Sequence, residues 1–320
     1  MRCLAQLSSE GKRFEYMDKD ASRVVIVGTG LMGIGIAAGF VAPGVDTVLL
    51  ARHDNGDGAV RQRVLATAAS LATGHAPGAL SVQTAESFTD WSGVSLVIES
   101  IREDLALKQA LFAWLDARVP AGVPIGSNSS SYGISRISEG LATRSRMFNT
   151  HYFMPAHLVP LVEVVLGADS DAALAQAVCD RLAAIGKKPV LVKKDIAGFL
   201  ANRIQHALMR EVLSLIDSGI ASPEDIDVAV RYSFGFRYAA IGPVMQKEIS
   251  GWDSSIQATR EIYPTLSNTT VVPACLERLV AEGRIGMKSG AGFFPWTPES
   301  AAATRAAYEQ RLAAAARLLA

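Results

Sequence analysis

The chain has 320 residues, more than one typical domain, which favours two domains. Hydrophobic residues make up 49% and charged residues 19%, so there is apolar material for substantial cores. Lysine plus arginine and aspartate plus glutamate each total 31, and this zero formal charge argues against a nucleic-acid or anionic-membrane partner. The sequence also lacks an apolar run of the roughly 18 residues that a membrane span needs.

The cysteines and the N-terminus bear on the compartment. Cys3, Cys179 and Cys275 are scattered, so they form no disulfide framework and suit a reducing cytoplasm. Acidic and basic side chains crowd the segment from Glu10 onward and leave no room for the apolar region of a secretory signal. We therefore expect a cytoplasmic protein with a polar extension over residues 1–20.

Strands and helices alternate over residues 21–194. The first segment, Arg23 to Gly28, is a short apolar run rich in β-branched residues, which is typical of a strand buried on both faces. Further strands are predicted at 46–51, 80–84, 94–99, 123–127, 147–151, 161–166 and 189–193, with helices at 34–41, 62–72, 105–119 and 172–185. This alternation predicts an α/β fold with a parallel, doubly wound sheet of the Rossmann type.

The composition changes near Asp195, and residues 195–320 carry mainly helical signals. Pro223 follows Ser222 and precedes two acidic residues, which is a typical helix start. A helix over 198–218 is predicted to present one broad apolar face, made of Leu200, Ile204, Leu208, Val212, Leu215 and Ile216. We therefore predict a smaller all-α domain over residues 195–320.

A G-x-G-x-x-G pattern lies between the first predicted strand and the first predicted helix. Gly28 permits a tight turn, Gly30 lets the backbone approach a pyrophosphate, and Gly33 lets the helix pack closely on the strand. Free N–H groups at the helix start, at Leu31 and Met32, suit phosphate oxygens. The alternative is an ordinary strand-to-helix turn, but the position of the pattern predicts a dinucleotide site.

The end of the second strand bears on which dinucleotide is bound. An acidic residue that chelates the adenosine ribose is expected about 20 residues after the glycines, but the sequence has Arg52 there. A guanidinium suits a 2′-phosphate, through bidentate charge-assisted bonds. The alternative is a solvated Arg52 with Asp54 on the ribose. We interpret the cofactor as NAD(P)(H), with NADP(H) favoured over NAD(H).

Polar groups at predicted strand ends supply the chemistry. Hydroxyls occupy 127–131, an imidazole stands at His151, a carboxylate at Glu163 and an amide at Asn202. In an open α/β sheet the ligand crevice lies outside the carboxyl ends of the strands. Glu163 lies within an apolar strand, and a buried carboxylate needs a partner.

On these motifs the chain resembles the 3-hydroxyacyl-CoA dehydrogenase family, from about Val24 to Trp296. The segments 97–103, 151–155, 195–203 and 286–294 follow the family's order and spacing. The resemblance implies hydride transfer between a nicotinamide cofactor and the 3-hydroxy or 3-oxo carbon of a small 3-hydroxy acid or its CoA thioester. It also implies a homodimer formed through the second domain.

The family's site residues map onto positions of this sequence. His151 matches the general base, Glu163 the carboxylate that orients it, Ser130 a hydroxyl that bonds the substrate oxygen, and Asn202 an amide that polarises that oxygen. An imidazole suits proton removal at neutral pH. Negative charge on the oxygen is stabilised by such donors.

Other positions match the cofactor side of the family's site. Glu103 and Lys108 correspond to residues beside the nicotinamide ribose, and Ser130 lies between cofactor and substrate. Ala197 replaces a usual proline at the entry to the second domain.

Two departures bear on the substrate. Met154 replaces the asparagine of the acyl-CoA enzymes at the pocket rim, and a thioether donates no hydrogen bond. The acyl-CoA enzymes carry a lysine-rich region here that suits CoA phosphates, whereas this chain has only Arg61 and Arg63 as lysine or arginine residues between Gly56 and Asp90. These features favour the branch that acts on free acids, which includes L-gulonate 3-dehydrogenase (lambda-crystallin) and carnitine dehydrogenase.

Rival hypotheses come from two other classes. A lysine-based β-hydroxyacid dehydrogenase of the phosphogluconate type would use Lys193 or Lys194. A non-catalytic, crystallin-like NADP(H)-binding protein would need none of the proposed catalytic groups. His157 is a rival base that matches no family position. His53, His75 and His206 lack metal-ligand spacing, so we predict no metal.

Overall fold

The computed structural model describes residues 23–53, 57–71 and 73–319. The predicted extension over 1–20 and Asp54 lie outside the described residues. The chain divides into two compact units, of which the first ends at Leu200 and the second begins at Ala201. The predicted boundary lies a little earlier in the chain, between residues 194 and 195.

The first unit contains one eight-stranded sheet in the order β3-β2-β1-β4-β5-β6-β7-β8. Its strands are β1 Arg23–Val27, β2 Thr47–Ala51, β3 Leu80–Thr84, β4 Val94–Glu99, β5 Ile125–Ser127, β6 Met147–Tyr152, β7 Leu161–Leu166 and β8 Lys188–Val192. Its helices are α1 Leu31–Val41, α2 Asp57–Ala69, α3 Leu105–Asp116, α4 Ile134–Ile137 and α5 Ala172–Ala184. The predicted Rossmann-type α/β architecture is confirmed.

Apolar clusters cover both faces of this sheet. On one face Ile26 and Leu49 pack with α1 and α5, and on the other Val25 and Val97 pack with α3. All residues of β2 and β4 are buried, which explains why the central strands are continuous apolar runs instead of alternating ones. The sheet therefore forms a rigid support for the loops at its carboxyl edge.

Two strands depart from the predicted parallel sheet. Strands β1 to β6 all run in one direction, but β7 runs antiparallel to β6, and β8 is parallel to β7. The segment between β6 and β7, 153–160, is too short for a parallel crossover, which needs a dozen or more residues. The resulting register places His151 directly opposite Glu163.

The second unit is helical, as predicted. Its helices are α6 Ala201–Asp217, α7 Pro223–Tyr232, α8 Phe234–Ala240, α9 Pro243–Ser250, α10 Trp252–Ile262, α11 Ala274–Ala281 and α12 Pro298–Leu319. The predicted helix over 198–218 is wrong at its start, because Gly198 (φ 74°) and Phe199 (φ 45°) have left-handed backbone conformations. Among the helices of the described residues, none combines the length and apolar character that a membrane crossing needs.

Candidate active site

The glycine turn lies between β1 and α1, at the carboxyl edge of the sheet. Gly28 has φ 119°, and a side chain there would overlap the Ser100 carbonyl oxygen. A side chain at Gly33 would overlap the Gly28 carbonyl oxygen. A Cβ at Gly30, by contrast, would have no atom within 4 Å. Two glycines are thus required by packing, and the middle one leaves open space over the turn.

The start of α1 fits the phosphates of a dinucleotide. Gly30 is the residue before the helix, and no side chain caps the N-terminal N–H groups. Leu31 is exposed and Met32 half-buried, so the first turn faces the open space beside Gly30. Strands β2 and β4 flank β1, which places the turn where the strand order reverses and nucleotides bind in such sheets. The residues present therefore fit a nicotinamide dinucleotide, held by the N–H groups of this turn.

Arg52 follows the last residue of β2 and is exposed, as is His53 beside it. The structure therefore leaves the guanidinium accessible at the edge where the adenosine ribose of a bound dinucleotide lies in this fold.

His151 and Glu163 form a buried pair across β6 and β7. The His151 Nδ1 atom lies 2.8 Å from Glu163 Oε2, and the two side chains are only 3% and 0% exposed. The other carboxylate oxygen, Oε1, accepts a hydrogen bond from the Leu200 backbone N–H at 3.1 Å. With Nδ1–H donating to Glu163, the Nε2 atom is left to act as an acceptor.

Ser130 lies against that free nitrogen. Its Oγ atom is 3.1 Å from His151 Nε2, and the residue is on the exposed loop that follows β5. Ser130, His151 and Glu163 thus form one continuous hydrogen-bonded chain, from the solvent side into the sheet. A hydroxyl and an acceptor nitrogen meet at its open end, where a substrate alcohol can be bound and deprotonated.

Two aromatic rings pack edge-on against the imidazole. The ring centroids of Phe153 and Phe199 lie 4.6 and 5.4 Å from that of His151. Phe199 is buried, and its positive φ is uncommon for a bulky residue. The same backbone conformation carries the Leu200 N–H to Glu163. These contacts restrict the imidazole and shield its hydrogen bond to Glu163 from water.

A second polar cluster lies beneath the loop after β5. Glu99 is completely buried at the end of β4, and the Lys108 ammonium, 1% exposed, lies 2.7 Å from its Oε1 atom. Lys108 Nζ also lies 3.3 Å from Glu103 Oε2. Partial burial by itself raises the pKa of Glu103, but hydrogen bonds from Ser129 and Ser131, with the Lys108 charge, outweigh it and hold that pKa below its usual value.

Lys187 is a buried cation beside β6 that the sequence analysis did not single out. Its Nζ atom donates to the carbonyl oxygens of Ala156 (2.7 Å) and Val159 (3.0 Å) and lies 5.9 Å from the Tyr152 ring centroid. It therefore fixes the segment that joins β6 to β7. Burial lowers its pKa to about 8.

This lowered pKa makes the stability of the first unit pH-dependent. In the unfolded chain the pKa of Lys187 is near 10.5. The contribution of Lys187 to stability is therefore most favourable above that pH and falls as the pH drops towards 8. We expect the free energy of unfolding of the wild type, relative to that of Lys187→Met, to fall by about 3 kcal/mol as the pH drops from 10.5 to about 8. Urea unfolding at a series of pH values measures it. The control, Lys188→Met, removes an exposed lysine; a Lys187→Met difference that is constant with pH contradicts the prediction.

The remaining predicted residues lie elsewhere. Met154 is 61% exposed after β6, and Asn202 is half-buried at the start of α6 in the second unit. No group of metal-ligating side chains occurs among the described residues. Sequence reasoning did not assign roles to Glu99, Ser129 or Phe199. The burial of a carboxylate at the end of an apolar strand was the available signal for Glu99.

Models of two domains of one protein family match the chain. The family described as 3-hydroxyacyl-CoA dehydrogenase, NAD binding domain, matches residues 23–196, and the C-terminal domain of the same family matches residues 198–296. The first unit is thus an NAD-binding domain.

Two relatives and one solved structure are similar over most of the chain. The 5-formyl-3-hydroxy-2-methylpyridine 4-carboxylate 5-dehydrogenase of Mesorhizobium japonicum is 32% identical, over 92% of this chain and 97% of its own. The L-carnitine dehydrogenase of Streptomyces griseus is 34% identical, over 78% and 76%. A crystal structure of the former kind of enzyme, described as an NAD⁺-dependent dismutase, has a TM-score of 0.87 at 29% identity, covering 93% and 98%. The chain belongs to the 3-hydroxyacyl-CoA dehydrogenase family and is an NAD-dependent oxidoreductase of that family.

Proposed function

We propose that the protein oxidises the 3-hydroxyl of a small 3-hydroxy acid, or reduces the matching 3-oxo group, with His151 as general base. The hydrogen-bonded chain from Ser130 through His151 to Glu163 carries the proposal. It ends at the carboxyl edge of the same sheet that bears the glycine turn. The N–H groups of that turn would hold a nicotinamide dinucleotide, which would supply the hydride chemistry when bound.

Each member of the chain has a distinct task. His151 Nε2 takes the hydroxyl proton as the hydride leaves the carbon. Glu163 accepts from Nδ1–H, which fixes the tautomer and stabilises the imidazolium. The Ser130 hydroxyl, which lies within reach of Nε2, donates to the substrate oxygen and stabilises its developing charge. We assign Asn202 to the same oxygen, on the resemblance alone.

For the substrate, we propose a free carboxylic acid over a CoA thioester. Two relatives matched over three quarters or more of both chains are named for a pyridine carboxylate and for L-carnitine. A 3-hydroxyadipyl-CoA dehydrogenase also covers 86% of this chain, but only 59% of its own length is matched. The exposed Met154 adds no hydrogen-bond donor at the pocket rim. The first relative is named for a pyridine carboxylate that bears a formyl group, which makes aromatic aldehydes a second candidate class. A hydrated aldehyde, like a secondary alcohol, has a hydroxyl proton for the base and a hydride on the same carbon.

A substrate panel tests this proposal. It contains 3-hydroxybutyrate, L-carnitine, the formyl pyridine carboxylate and 3-hydroxybutyryl-CoA, each assayed with NAD⁺ and NADP⁺ by nicotinamide absorbance. We expect kcat/KM to be highest for one of the free acids. Turnover of the thioester alone overturns the choice of a free acid, and no turnover of any member, or of a wider set of 3-hydroxy compounds, favours a non-catalytic binding protein.

For the cofactor, we propose that Arg52 favours NADP(H). A bond between a charged pair contributes about 1.5–3 kcal/mol, or ten- to a hundredfold in affinity. Arg52→Ala is expected to lower kcat/KM for NADP⁺ by that factor and to leave the value for NAD⁺ within about twofold. Arg63→Ala, an exposed arginine of α2, is the matched control. A wild-type enzyme that prefers NAD⁺ contradicts the proposal. The related enzyme described as NAD⁺-dependent represents this opposite outcome.

We further propose that a second copy of the chain covers the apolar face of α6, as the resemblance implies. No residue of α6 is buried, and Ile204 and Leu208 are 61% and 37% exposed. Exposed apolar patches of this kind mark interaction surfaces. Light scattering at micromolar concentration is expected to give twice the chain mass; a monomer contradicts the proposal.

We also propose a cytoplasmic location. Cys179 and Cys275 are both free thiols and buried, as suits a reducing compartment. Fractionation of the source cells tests it.

A further inference from the structure

The loop that carries Ser130 is held from below by carboxylates. Glu99, completely buried, accepts hydrogen bonds from Ser127 Oγ (2.6 Å) and from the Ile101 N–H (2.7 Å). Ser127 Oγ in turn accepts from the Ser129 N–H at 3.2 Å. The first half of the loop is therefore tied to a charge in the core of the sheet.

Glu103 holds the residues on both sides of Ser130. A single oxygen, Oε1, accepts from the Ser129 hydroxyl at 2.6 Å and from the Ser131 N–H at 2.7 Å. Ser129 Oγ also accepts from the Tyr132 N–H at 3.0 Å. The neighbours of Ser130 are thus fixed to one carboxylate, while its own side chain reaches His151 Nε2 at 3.1 Å.

Lys108 joins the two carboxylates. Its ammonium lies 2.7 Å from Glu99 and 3.3 Å from Glu103, and it is buried. The Ile101 carbonyl oxygen accepts its further hydrogen bond at 3.4 Å. Because both carboxylates bind the serine loop, the lysine couples that loop to the end of β4 and to α3.

We propose that Glu103 is a positioning residue of the reaction, which holds the Ser130 hydroxyl on the His151 imidazole, and that Lys108 fixes Glu103 for this task. The assignment rests on the proposed function, in which Ser130 and His151 act on the substrate. The Oε1 atom performs this task through Ser129 and Ser131, and the contact beside the nicotinamide ribose that the resemblance implies for Glu103 is a separate one. A residue that acts through Ser130 affects turnover only while the serine hydroxyl is present.

A double-mutant cycle tests this dependence. Glu103→Ala is expected to lower kcat, measured at saturating cofactor, about ten- to a hundredfold. In a Ser130→Ala background the same change is expected to lower kcat less than twofold, since interacting residues are not additive. Glu103→Gln keeps an acceptor oxygen and should recover most of kcat. Glu139→Ala, on an exposed turn, is the control. Equal losses of kcat in both backgrounds, or an unchanged kcat in the wild-type background, overturn the proposal.

A second readout needs no substrate. The Nε2 nitrogen resonance of His151, assigned among the five histidines with a His151→Asn variant, reports the hydrogen bond from Ser130. Glu103→Ala is expected to move this resonance to the position seen in Ser130→Ala, whereas Glu139→Ala leaves it in place. The proposal is overturned, whatever the enzyme's substrate, if Ser130→Ala moves the Nε2 resonance but Glu103→Ala does not. Failure of the substrate panel, by contrast, concerns the proposed function alone.

Discussion

Replacing His151 by asparagine is expected to lower kcat by about 10²- to 10⁴-fold, the usual contribution of a general base. Asparagine cannot take up the hydroxyl proton at neutral pH, because an amide has no basic nitrogen. The substitution also removes the ring N–H that donates a hydrogen bond to the completely buried Glu163. The Kd for the cofactor is expected to stay nearly constant, since the glycine turn is untouched. Steady-state assays and cofactor titration by fluorescence measure both quantities.

His157→Asn is the matched control for this prediction. His157 lies on the same segment after β6 and is half-buried, but the hydrogen-bonded chain that ends at Ser130 does not include it. We expect it to keep most of the wild-type kcat. Substantial activity in His151→Asn instead favours the lysine-based dehydrogenase. In that case Lys193→Met or Lys194→Met, both at exposed positions, should abolish turnover.

The parts of the fold that local sequence determines were predictable. The β-branched run over 23–28 and the glycines after it specify a buried strand and a tight turn through their own steric properties. Each position could be interpreted without knowledge of distant partners. The structure confirms this strand and the helix that follows it.

The pairing of elements was harder to predict. The alternating pattern predicts strands at β6 and β7, but not their relative direction. The short connection 153–160 was the available signal, because a parallel crossover needs a longer one. The consequence is large, since only the antiparallel register places His151 opposite Glu163. Phe199 shows a different limit: glycine is the usual signal for a left-handed residue, and phenylalanine gives none.

Buried charges were the least predictable part of the site. Lys108 belongs to a helix with leucine at regular spacing, and a lysine there is normally exposed. Its burial follows from the ion pair with Glu99, which the sequence pattern of the helix does not indicate. The pairing of the two residues therefore emerges only from the three-dimensional structure.

Replacing Lys108 by methionine is expected to lower the free energy of unfolding by about 3–5 kcal/mol, the usual cost of removing one partner of a buried ion pair. Methionine fills similar space but supplies no donor, so the completely buried Glu99 carboxylate keeps only its neutral donors Ser127 and Ile101. Urea unfolding at pH 7 measures the change. The double variant Glu99→Gln with Lys108→Met removes both charges and is expected to recover a large part of the loss, because the penalty is that of an unpaired charge. Lys193→Met, at an exposed position, controls for lysine loss in general. If Lys108→Met costs less than about 1 kcal/mol, or if the double variant is less stable than either single variant, the buried pair is not what holds the end of β4 to α3.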